Sequence, residues 1–248
     1  MATIVTVAAW LAEGLSGRDH GLPPSWAFWH ARAMVLAWSV LLPVGMLVAR
    51  FFKVTPRQAW PRVLDNPAWW RCHLSLQTAG VLLMTLGAAA AYGRGADATA
   101  LARWHHGAGW TLVATGWVQV LAGLVRGSKG GPTAATLRGD HYDMTRRRIA
   151  FEVVHKTLGW AALPVVVATT AAGLVMLDAP RWMAVLIAGW WVTVAAAFVA
   201  LQRAGRCVDT YQALWGTDPR HPGNARRPIG WGIRQHPAPG HASDTGPR

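Results

Sequence analysis

The chain has 248 residues, of which 52% are hydrophobic and only 14% charged, and its formal net charge is +13. A soluble domain carries about 25% charged residues, and the apolar residues here gather into long runs, which excludes an ordinary soluble globule. The basic residues lie in the links between those runs, without zinc or helix-turn-helix spacing. No nucleic-acid partner is expected, and the charge reads as a topology signal.

In chain order, Met1 to Ala12 is apolar but too short to span a bilayer, and it lacks the basic start of a signal peptide. Residues 1–25 are expected to form a short outer segment with a surface-lying helix. Five runs follow, each near the roughly 20 residues that cross a hydrocarbon core: Ala27 to Ala49, Cys72 to Tyr92, Trp104 to Val125, Ile149 to Leu177 and Trp182 to Gln202. Pro43 and Pro164 fall inside the first and fourth runs and should kink them, with neighbouring helices satisfying the freed carbonyls. Trp26, Trp29, Trp69, Trp70, Trp104 and Trp182 sit at run ends, where indoles favour the headgroup level. The fold class is therefore an all-α integral membrane protein of five transmembrane helices, embedded in lipid. Its membrane domain covers residues 26–204, and residues 205–248 form a Pro/Gly/Arg-rich tail, disordered from Gly216 onward.

Direction follows from Lys and Arg. The first–second link, the third–fourth link and the tail together hold 18, whereas the opposite side holds 4 (Arg18, Arg94, Arg103, Arg181). The positive-inside rule places the N-terminus outside and the C-terminus in the cytoplasm, in a cell's inner membrane.

Ionisable side chains within membrane spans are costly and usually functional. His30, His73, His105 with its neighbour His106, and His155 fall within the first turns of the first four spans, and the fifth span has none. Consecutive spans run antiparallel, so His30 pairs with a histidine of the third span near one face, and His73 pairs with His155 near the other. Two such pairs suit two haems with two imidazole ligands each, in a four-helix bundle with one further helix. A six-coordinate iron has no open position for substrate and serves electron transfer. Ligands one turn inside each face would put the irons roughly 20 Å apart. Of the two cysteines, Cys72 and Cys207, neither belongs to a CxxCH motif, so haem would be held non-covalently, as haem b.

His105 to Trp110 and His155 to Trp160 both read His-x-x-x-Gly-Trp. Gly109 and Gly159 lie one turn past the histidine on the same helical face, where a flat macrocycle can approach the backbone. This repeat selects His105 over His106 as ligand and leaves His106 an interfacial or supporting role. His20, His141, His221, His236 and His241 fall in links or the tail and are expected to be solvated.

The stretches His30-Ala31-Arg32-Ala33-Met34, Trp70-Arg71-Cys72-His73 with Gln77, and His105 to Trp110 with Gln119 resemble the cytochrome b561 family in its DOMON-associated form. Arg126 to Pro132, Gly139 to Asp143 and Phe151 to Lys156 extend the match. The resemblance covers about Trp26 to Gln202. It implies two haem b groups in the pairing above and transmembrane electron transfer, often from cytoplasmic ascorbate to an outer acceptor. This chain departs in its five spans and in carrying no DOMON domain. Arg71, Arg148 and Lys156 are candidate contacts for an anionic reductant or for haem propionates, with Glu152 and Lys156 also spaced to pair with each other. Candidate partners are a small-molecule or protein donor and acceptor, quinone and ascorbate among them, and a homodimer or larger complex. Three readings follow: a self-contained transmembrane oxidoreductase, a haem-bearing anchor exchanging electrons with a partner protein or quinone, and a metal transporter. The last would need carboxylates or thiols beside the histidines.

Overall fold

The structure, a computed structural model, describes residues 2–17, 23–94 and 99–237. Among these it is helical, without a named strand. The helices are α1 (Ala2–Ala12), α2 (Ser25–Phe51), α3 (Ala68–Ala91), α4 (Ala100–Leu124), α5 (Arg146–Met176), α6 (Arg181–Arg203) and α7 (Thr210–Trp215). Four of them, α2, α3, α5 and α6, are long and apolar enough to cross a membrane. The third expected span forms as α4, 25 residues long, but lies outside that apolar set.

Helix starts follow local chemistry. Asn66 Oδ1 accepts from the Ala68 N–H (3.0 Å) ahead of α3, and Thr99 Oγ1 accepts from Ala102 N–H (3.1 Å) at α4. Thr145 Oγ1 does the same for Arg148 N–H (3.4 Å) at α5. Side-chain oxygens here satisfy amides that have no partner inside the helix. The Thr145 cap starts α5 three residues before the expected Ile149.

The chain divides into two compact units. One comprises Met1–Gly45, Ser75–Val118 and Leu158–Ala197, and the other Met46–Leu74, Gln119–Thr157 and Phe198–Arg248. In the first unit the core includes Ala37, Trp38, Met84 and Leu112. Pro43 is accommodated by a π-helical stretch, Val35–Leu41, just ahead of it. The proline ring crowds the carbonyl four residues back and leaves it without an amide donor, so the turn widens. That carbonyl, Ser39 O, instead accepts from Trp190 Nε1 at 2.7 Å. The segment Ala2–Ala12 is helical, as α1, and Arg181 ties its end through the Glu13 carboxylate (2.6 Å) and the Trp10 carbonyl (3.3 Å). On α6 no residue is buried, and Val185, Leu186 and Val192 are exposed, as befits a lipid-facing surface.

In the second unit the expected disordered tail is instead built into the fold through residue 237. Tyr211, Leu214 and Trp215 of α7 pack with Tyr142 and Met144 in one apolar cluster, and Ile229 leans against it. Beyond α7, Arg234 N–H donates to Cys207 O (2.8 Å) and its carbonyl accepts from Asp209 N–H (3.0 Å). Past Gly216 the segment is held by polar contacts that composition does not show: Asn224 Nδ2 donates to Gly216 O (3.0 Å), Gln202 Nε2 to Gly232 O (2.7 Å) and His236 N–H to Gln212 Oε1 (2.8 Å).

Candidate functional site

Each histidine pair lies within one unit. In the first unit the His30 and His105 ring centres are 6.2 Å apart, and in the second the His73 and His155 ring centres are 6.5 Å apart. Two imidazoles bound through Nε2 on opposite sides of one metal ion would have centres about 6.2 Å apart. That figure takes about 2.0 Å for each metal–nitrogen bond and about 1.1 Å from Nε2 to the ring centre. Both separations match it.

The first pair is also set in tautomer. His30 Nδ1 lies 2.9 Å from Gly87 O, and His105 Nδ1 lies 3.0 Å from Thr169 O. A carbonyl oxygen only accepts, so each Nδ1 carries a proton, and in the neutral ring it is Nε2 that keeps the lone pair. That is the state in which histidine ligates a metal. Gly173 makes room for this ring: a Cβ there would lie 3.1 Å from His105 Cε1. One turn past His105, a Cβ on Gly109 would meet nothing within 4 Å, leaving open space beside the ligand face. Gly159 occupies the corresponding place one turn past His155 in α5.

Around the second pair, Phe151 stacks on His155 (5.1 Å, 30°) and Trp70 lies 6.0 Å from His73. Gln119 Nε2 donates to His155 O at 2.8 Å, fixing the backbone that carries the ring. His155 Nδ1 is buried without a hydrogen-bond partner. Among the described residues no three His, Cys, Asp or Glu side chains gather to hold an ion. Pairs of histidines alone suit a group that brings its own equatorial nitrogens, which is the donor set of haem and not of a bare transported cation.

The basic residues separate. Glu152 holds both Arg148 (2.9 Å) and Lys156 (2.6 Å), and Lys156 also donates to Ile229 O (2.8 Å). Arg148 is 8% exposed, whereas Arg71 is exposed to solvent. The expected solvation of His141 does not hold. It is buried against the Trp215 edge (4.8 Å) and receives Arg148 Nη2 at 3.2 Å. Burial and then the Arg148 charge push its pKa down to about 3, so the neutral ring is the acceptor. His221 is also engaged, 2.9 Å from the Tyr142 hydroxyl. His106 accepts from Trp110 Nε1 (2.7 Å) on its own helix. Cys72 is exposed and Cys207 buried, both as free thiols. His20 and His241 lie outside the described residues.

Sequence reasoning missed Gly87, Thr169 and Gly173. The first two act through backbone carbonyls, which carry no signal of residue type.

With this geometry in place, the comparisons with known proteins fall in one direction. The chain is 26% identical over 168 residues to a cytochrome b561, DM13 and DOMON domain-containing protein of Arabidopsis thaliana, covering 68% of this chain and 16% of that one. It is 25% identical over 150 residues to a cytochrome b561 and DOMON domain-containing protein of the same plant, covering 60% of this chain and 31% of that one. The chain thus matches less than a third of the length of either relative. No family model matches the chain, and no solved structure matches it significantly. In sequence it is similar to cytochrome b561 proteins.

Proposed function

We propose that this chain is a transmembrane electron-transfer cytochrome holding two haem b groups, one between His30 and His105 and one between His73 and His155. The observation that carries the reading is the presence of two histidine pairs, each at the spacing of opposed ligands on one iron. The printed names of the relatives support it, since both are called cytochrome b561 proteins. When bound, such haem supplies a one-electron carrier with no open coordination site. The chain's own residues do the rest. Gly87 O and Thr169 O hold the Nδ1 protons of His30 and His105, which keeps both Nε2 atoms basic. Phe151 and Trp70 flank the other pair with apolar rings that exclude water.

In this reading α4 is a fifth span. Its 25 residues reach about 37 Å, enough for the hydrocarbon core. His105 and Gln119, which serve the sites, and the polar His106 lower its apolarity. The N-terminus faces outward and the C-terminus the cytoplasm of a cell's inner membrane. Electrons pass from a donor on one face to an acceptor on the other, and ascorbate and quinol are the donors to try first.

The test is a reduced-minus-oxidised absorption spectrum of the purified protein with pyridine-haemochrome quantitation. Two low-spin haems b per chain are expected. A protein that binds no haem after expression with ample haem supply rules the reading out.

A further inference from the structure

Within the second unit, Arg126 stands apart from the other arginines near the His73/His155 pair. Its guanidinium carbon lies 4.0 Å from the Trp70 ring centre, and the same Trp70 lies 6.0 Å from His73. Arg126 is half-buried, yet among the described residues no carboxylate pairs with it. The acids around it are engaged elsewhere: Glu152 holds Arg148 and Lys156, and Asp140 accepts from Ser128 and Thr145. Burial and the neighbouring Arg148 charge both lower its pKa.

The backbone on either side is pinned. Arg147 Nε donates to Val125 O at 2.7 Å, and Asp140 Oδ2 accepts from Ser128 N–H at 3.0 Å. Between them Gly127 adopts φ +90°, and a Cβ there would fall 2.5 Å from Asp140 Cβ. Only glycine fits that turn. A half-buried guanidinium on a rigid turn, stacked on the tryptophan beside a ligand histidine and lacking a counter-anion, is prepared for a carboxylate.

We infer that Arg126 binds a propionate carboxylate of the haem held by His73 and His155. The inference rests on the two-haem reading above. It differs from the expectation for Arg71, Arg148 and Lys156: Arg71 is exposed, and the other two hydrogen-bond Glu152.

The experiment is a spectroelectrochemical titration of detergent-purified wild type, Arg126→Gln, Arg126→Lys and an exposed control, Arg62→Gln, with haem counted per chain and resonance Raman spectra recorded for the propionate bending modes. In Arg126→Gln one haem should titrate at lower potential with an altered propionate mode, or be lost, while the other haem is unchanged. Arg126→Lys should lie between, and Arg62→Gln should match wild type. Unchanged potentials and propionate modes in Arg126→Gln overturn the inference. So does equal disturbance or loss of both haems, which assigns Arg126 to the fold. A wild type lacking two haems defeats the underlying reading instead, so the two failures are distinguishable.

Discussion

The indole of Trp190 donates to the carbonyl of Ser39 at 2.7 Å, and that carbonyl is the one Pro43 leaves without a helical amide. A helix broken by proline in an apolar setting needs a substitute donor, and α6 supplies it from across the first unit. Trp190→Phe should lower stability by about 1–2 kcal/mol by leaving Ser39 O unsatisfied. In a Pro43→Ala background, where the amide returns, the same change should have a smaller effect. Thermal unfolding of the four variants in detergent measures the coupling. Equal effects in both backgrounds would show that Trp190 acts through packing alone.

The histidine pairs make separable predictions. His30→Ala or His105→Ala should remove one haem and leave the other with its native spectrum. His73→Ala or His155→Ala should do the reverse. Haem per chain would fall from two to one in each case, read by pyridine haemochrome and by the surviving band. A variant in one pair that abolishes both bands equally would argue against independent sites.

Gly109 offers a test in which the protein alone has nothing to lose. A side chain there meets no atom within 4 Å. Gly109→Leu should leave the haem-free chain at least as stable, gaining up to about 1 kcal/mol because glycine is the poorer helix former. Its haem content should fall at the site of His105, because the leucine occupies the space left for the macrocycle. Full haem loading in this variant would mean that the macrocycle does not lie over Gly109.

His141 predicts a pH dependence. Its folded pKa is near 3, against an ordinary value of 6.5. Between those values the unfolded chain takes up a proton that the folded chain refuses, so stability is full above about pH 6.5 and is lost as pH falls toward 3. At pH 4 the loss from this residue is on the order of 3 kcal/mol. Unfolding midpoints measured from pH 7 to pH 4 should fall steeply, and less so in His141→Asn. Parallel curves for the two proteins would show that another group governs the acid transition.

The glutamate–lysine contact at positions 152 and 156 was legible from an i,i+4 spacing. The arginine at 148 was harder to place. It lies four residues before the same glutamate, but it also meets His141, which Trp215 of α7 covers from a distant part of the chain.

What the sequence determined by itself is what depends on local composition and period. Runs of apolar residues of bilayer length dictate helices, because a backbone in lipid must bond within its own segment. The order of the runs led to the expected pairing of His30 with His105 and of His73 with His155, and the ring centres of each pair lie 6.2 and 6.5 Å apart. Tertiary structure alone decided which backbone carbonyls hold the imidazole protons, since every residue offers the same carbonyl and only packing selects Gly87 and Thr169. It also decided that α7 is buried and His141 with it. Three apolar anchors in a polar tail are too few to register in composition, but they suffice once Tyr142 and Met144 present a surface to cover.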